Sequence, residues 1–68
     1  MVEVFRTNIK RVAQSKMLIR LLSKHFPGCD INFDLDDCDK VLRVEGDNIC
    51  PLKIIETVSS NGYLCEAL

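Results

Sequence analysis

The chain has 68 residues, of which 47% are hydrophobic and 28% charged, and its formal net charge is −1. One small globular domain fits these values, whereas a second core, a disordered segment and a dedicated nucleic-acid binder do not. The apolar runs are too short to cross a bilayer, and residues 1–6 lack the basic start and apolar run of a signal peptide, so we expect no membrane partner and a cytoplasmic location.

The first part of the chain predicts a strand followed by an amphipathic helix. Residues 2–9 are rich in Val, Phe, Thr and Ile, which are typical of strands. In residues 12–26 the apolar positions recur with a helical period, which places Leu18 and Leu22 in one apolar sector. Pro27 followed by Gly28 ends this helix, because proline cannot continue it and glycine tolerates the turn.

The second part predicts a hairpin, a helix and a last strand. Residues 30–36 alternate between apolar and polar side chains, as in an antiparallel strand with one solvated face. After an Asp-rich turn, residues 41–45 return as the next strand. Pro51 favours the start of a second helix, and residues 63–67 form a short final strand. The predicted apolar side of the second helix consists of Leu52, Ile54, Ile55 and Val58.

The predicted order is therefore βαββαβ within a single domain, 1–68. Two βαβ units with right-handed crossovers give a four-stranded antiparallel sheet with both helices on one face. We predict an α+β fold of the ferredoxin-like class.

Three segments resemble the heavy-metal-associated domain family: FRTNIK at 5–10, DKVLRVEG at 39–46 and GYLCE at 62–66. The resemblance covers nearly the whole chain. It implies the βαββαβ module of copper chaperones and of the N-terminal regions of metal-transporting ATPases. It also implies a metal-binding CxxC motif where the first strand meets the first helix, in which two thiolates hold Cu(I).

This chain departs from the family at the motif itself. Aligned on Ile9, the two cysteine positions hold Arg11 and Gln14. A guanidinium cannot ligate a cation and repels one. We therefore expect no metal at the usual site and no cofactor. Tyr63 matches an aromatic that packs beside the metal loop in bacterial chaperones of the family.

The charge is divided unevenly along the chain, with +5 over residues 1–28 and −6 over residues 29–68. Part of the positive charge lies four residues apart on the first helix, as a stripe opposite its apolar sector. The stripe is either a solvated helix face or a docking surface for an acidic protein, including the acidic hairpin of a second copy. Its residues are Lys16, Arg20 and Lys24.

These observations favour a non-enzymatic interaction module without a nucleic-acid partner. Its predicted contact surface combines the basic stripe with the residues that align with the family's metal-binding loop. Arg11 is expected to bind a carboxylate where the family holds a metal. The motif-loop residues are Lys10, Arg11, Gln14 and Tyr63.

Two alternatives remain open: a small-ligand regulatory domain, and metal binding or transport through cysteines outside the motif. The four cysteines include no CxxC pair, so zinc-finger spacing is absent, and we expect them to be reduced. A metal site would need cysteines brought together by a dimer or a partner. Cys50, which precedes a helix, is the most reactive candidate, and Cys65 is predicted to be core. The remaining cysteines are Cys29 and Cys38.

The single histidine and the Asp-rich stretch are both expected to have structural roles. His25, the only histidine, is expected to be a half-buried structural residue, and no catalytic triad can be written around it. The Asp-rich stretch beginning at Asp34 has Asp39 where an EF-hand loop needs glycine, so it predicts solvated carboxylates on a turn.

Overall fold

The computed structural model describes all residues, 1–68. Every predicted helix and strand is present in the predicted order. The third strand has its predicted bounds, whereas the other three are shorter than expected: the first ends at Thr7, the second ends at Asp34, and the last begins at Cys65. The elements are β1 (Val2–Thr7), α1 (Val12–His25), β2 (Asp30–Asp34), β3 (Val41–Glu45), α2 (Pro51–Ser60) and β4 (Cys65–Ala67).

The four strands form one antiparallel sheet in the order β2-β3-β1-β4. This α+β arrangement is compatible with a ferredoxin-like fold. Phe5 lies opposite Leu42, and Thr7 lies opposite Cys65. The end of β1, the turn between β2 and β3 and the start of β4 therefore share one end of the sheet, which we call the hairpin end.

One core joins a face of the sheet to both helices. Phe5, Leu42 and Val44 come from the strands, and each is at most 1% exposed. Burial of a large apolar side chain stabilises the fold by about 1.5–3 kcal/mol. Each helix contributes two fully buried apolar side chains, and those of α1 lie at the positions that its helical period predicts. The helical members of the core are Leu18, Leu22, Ile54 and Val58.

Two predicted burials are wrong. Leu52 is 68% exposed, although it was expected on the apolar side of α2. Ile54 and Val58, one turn apart, define the buried side, and Leu52 lies about 200° around the helix from Ile54. His25 is exposed rather than half-buried, because it ends α1 and the next residue, Phe26, turns towards the core instead.

No helix is both long enough and apolar enough to span a bilayer.

Candidate functional site

The segment between β1 and α1 is held by Thr7. Its hydroxyl donates a hydrogen bond to the carbonyl oxygen of Lys40 at 2.6 Å and accepts one from the amide of Ile9 at 3.2 Å. Ile9 itself is fully buried in the core. These contacts fix the path of the chain from the end of β1 into α1.

The start of α1 depends on Gln14. Its Oε1 accepts hydrogen bonds from the amides of Arg11, at 3.2 Å, and Lys10, at 3.4 Å. Arg11 is the N-cap residue, with an extended backbone, but its side chain has no acceptor for the amides of the first turn. Gln14 therefore supplies the half of a capping box that reaches back to the N-cap.

The five basic residues of the predicted contact surface are all exposed. The single ion pair of the structure joins Arg6 and Glu66, with 2.8 Å between Nη2 and Oε1. None of the five is therefore neutralised by a carboxylate of its own chain. We call this set of exposed cations the basic face; it consists of Lys10, Arg11, Lys16, Arg20 and Lys24.

The segment that contains Tyr63 is joined to the loop before α1 through the next residue, Leu64. Tyr63 is half-buried and packs against the core, while the amide of Leu64 donates to Oδ1 of Asn8 at 2.9 Å. This bond joins the segment before β4 to the loop before α1. Leu64 and Val12 are 45% and 60% exposed, so apolar surface lies beside the charged loop.

Sequence reasoning missed Asn8, Val12 and Leu64 as members of the site. Asn8 carried a usable signal, because an asparagine directly after a strand is typical of a turn whose side chain bonds the backbone. Its partner Leu64 lies 56 residues away, and no local pattern indicates that contact.

The cysteines occupy different environments. Cys38 and Cys50 are exposed, and Cys50 is the N-cap of α2, as expected. Cys65 is buried, and burial together with the charge of Glu66 raises its pKa to about 11, so it stays a thiol at neutral pH. Cys29 is half-buried, with its Sγ 2.8 Å from where a Cβ on Gly46 would lie, so the strand ends pack closely there.

One group of three residues that could hold a metal ion forms, and it contains a single cysteine. The ligand atoms of Asp37, Cys38 and Asp39 lie within 4.8 Å of one another at the hairpin end. Oδ1 of Asp37 already accepts a hydrogen bond from the amide of Asp39 at 2.8 Å, so this carboxylate organises the turn. The other cysteines lie outside the group.

No protein-family model matches this chain, and neither the curated proteins nor the solved structures include a significant match. The resemblance to the heavy-metal-associated family therefore stays a prediction that rests on the three segments at 5–10, 39–46 and 62–66.

Proposed function

We propose that this chain is a small non-enzymatic binding module of the ferredoxin-like class, related to the heavy-metal-associated domain, that docks an acidic protein on its basic face. The observation that carries the proposal is the exposure of all five cations of that face, with no carboxylate of the chain paired to any of them. Unpaired charge of one sign on one surface steers association with a partner of the opposite charge.

Arg11 is the centre of the proposed surface. Its guanidinium can bind a carboxylate through two parallel hydrogen bonds, which a lysine cannot do. In the family that the chain resembles, a metal cation sits at this junction. Arg11 would thus present positive charge where the family binds it.

The neighbours of Arg11 extend the surface in two directions. Along α1, Lys16 to Lys24 span about 12 Å, enough to meet several carboxylates of an acidic helix or loop. On the other side, exposed Val12 and Leu64 offer apolar area beside the charges. Interfaces combine such an apolar part with a polar rim.

The test is a titration of the ¹⁵N-labelled protein with a hexaglutamate peptide, followed by amide chemical shifts. We expect the shifts to cluster at residues 10–14 and along α1. Arg11→Glu should weaken binding about threefold to tenfold, because an exposed ion pair is replaced by repulsion.

Lys53→Glu is the matched control. It makes the same change of charge at an exposed position on α2, away from the basic face, and should alter the affinity less than about twofold. Equal loss in the two variants would mean that only net charge matters, which would contradict a specific surface.

A further inference from the structure

A groove separates α1 from the edge strand β2. Its volume is about 600 Å³, and it lies beside the first half of α1. Four apolar side chains line it: Val12 and Ile19 from α1, and Phe33 and Leu35 from β2 and the residue after it. We call it the edge groove.

The floor of the edge groove is a free strand edge. β2 pairs only with β3, and none of the backbone hydrogen bonds outside the regular elements comes from residues 30–34. The outward amides and carbonyls of β2 therefore have no partner in the chain. A strand edge of this kind can accept another strand through main-chain hydrogen bonds. The opposite edge, β4, offers only three residues.

The side chains of β2 indicate which strand would fit. On the face that points away from the core, β2 presents Asp30, Asn32 and Asp34, all exposed. Directly opposite positions on neighbouring strands interact, and opposite charges stabilise the pair. On the other face, Phe33 and the groove wall formed by Val12 and Ile19 favour apolar residues. The complementary strand alternates basic and apolar residues.

A second copy of this chain does not meet that requirement in the register that pairs the whole of β2, nor in the register one residue further along. Antiparallel pairing of two β2 strands centred on Asn32 places Asp30 opposite Asp34 of the other copy. Centring on Phe33 places Asp30 opposite Asp36 of the other copy. Either register opposes like charges, and it also brings the two basic α1 helices side by side. The same carboxylates that oppose self-pairing attract a basic strand.

We propose that the edge groove binds an extended segment of a partner protein, in which Lys or Arg alternates with apolar residues, as a fifth strand along β2. The basic residues face Asp30 and Asp34, and the apolar residues enter the groove against α1. The groove adjoins the basic face, because Lys16 lines it, as does Arg43 of β3. The β2 positions that the added strand would face nevertheless carry Asp30 and Asp34 and no cation.

The test uses the capped peptide Val-Lys-Val-Lys-Val-Lys-Val and the ¹⁵N-labelled protein. We expect amide shifts in residues 30–36 and in the first half of α1. Two further peptides are N-methylated, one at its valine amides and one at its lysine amides. Only one alternate set of amides can face the strand edge, so one methylated peptide should lose about tenfold in affinity and the other should bind as before.

Protein variants test the charge selection. Asp34→Lys should weaken binding about threefold to tenfold, and Asp30→Lys, whose side chain makes no hydrogen bond, should do the same without disturbing the turn. Asp47→Lys is the matched control, since this exposed acid lies in the loop before α2, and it should change the affinity less than about twofold.

Several results would overturn the proposal. Shifts confined to residues 36–39 would show simple attraction to the acidic turn. Equal binding by both methylated peptides, or by a peptide with Glu in place of Lys, would exclude strand addition selected by charge. Shifts in β2 that depend on protein concentration without peptide would assign the edge to a second copy.

Discussion

At the start of α1, Gln14 and Arg11 have different roles. Gln14 accepts the amides that precede α1, whereas the Arg11 side chain makes no hydrogen bond within the chain. The two positions that the resemblance aligns with the metal ligands of the heavy-metal-associated family thus have different roles in this chain. One stabilises the start of a helix, and the other is free to contact a partner.

Replacing Gln14 tests the first role. Gln14→Ala should lower the free energy of unfolding by about 1 kcal/mol, because the amides of Lys10 and Arg11 lose their acceptor. Gln14→Glu keeps an acceptor and adds negative charge at a helix N-terminus, so it should stay within about 0.5 kcal/mol of the wild type. Urea unfolding followed by circular dichroism measures both. An alanine variant as stable as the glutamate variant would contradict a stabilising cap.

Cys65 couples stability to alkaline pH. Burial raises its pKa from 9.0 to about 11, so the unfolded chain releases the proton first as pH rises. The stability that this thiol contributes is complete below pH 9.0 and is lost as pH rises towards the folded pKa. The free energy of unfolding should fall by roughly 1–2 kcal/mol between about pH 8 and about pH 10.5.

Cys65→Ala provides the control for this pH dependence. The variant is less stable at every pH, because a buried side chain is shortened. Its stability should nevertheless fall less steeply over the same alkaline range than that of the wild type. If urea unfolding shows that the free energy of unfolding falls equally steeply with pH in both proteins, another group causes the pH dependence.

At the scale of the element, the sequence predicts α2 as a helix correctly but does not show which side of it is buried. Leu52, Ile54, Ile55 and Val58 are all apolar, so several stripes fit the sequence equally well. Packing selects the stripe through Ile54 and Val58, and Ile55 is half-buried at its side.

Two substitutions test this orientation of α2. Leu52→Lys should leave the free energy of unfolding within about 0.5 kcal/mol, because the side chain is already exposed. Ile54→Val removes one buried methylene and should cost about 0.5–1.5 kcal/mol. Chemical unfolding of each variant checks the pair. A Leu52 variant that loses more stability than the Ile54 variant would reverse the assignment.

At the scale of the whole molecule, the sheet order gathers three distant segments at the hairpin end. Thr7 contacts Lys40, and Asn8 contacts Leu64. The resemblance to the heavy-metal-associated family predicts that this end corresponds to the metal loop of that family, so introducing two cysteines there tests the resemblance directly.

The double substitution Arg11→Cys with Gln14→Cys should create a Cu(I) site at the junction of β1 and α1. The two positions are three apart at a helix N-terminus, where thiolates are favoured. In a titration against a competing chelator, we expect one Cu(I) per chain, with amide shifts at residues 9–14. The wild-type amides of this loop should not respond to Cu(I) or Zn²⁺.

The matched control is Arg11→Ser with Gln14→Ser, which loses the same cap and offers no soft ligand. If the folded cysteine variant binds Cu(I) no better than the serine variant, the junction is not equivalent to the metal loop of the family. Shifts near Cys38 or Cys50 in the wild type would instead favour metal binding through those cysteines.

The sequence alone determined the number, type and order of the elements, because their signals lie within a few neighbouring residues. The alternation in residues 30–36 predicts β2, and Pro27 with Gly28 predicts the end of α1. The apolar sector of α1 was also predictable, since Leu18 and Leu22 repeat over a 14-residue helix and leave one buried side. The same reasoning identified the exposed cations as a stripe.

Only the tertiary structure decided where strands end, which side of α2 is buried, and which loops meet. Thr7 is the last residue of β1, and its hydroxyl donates to the carbonyl oxygen of Lys40, a contact between residues 33 apart. The edge groove exists because β2 lies at the edge of the sheet beside α1, which depends on the order of all four strands. Such contacts follow from how whole elements pack, and no local spacing in the chain encodes them.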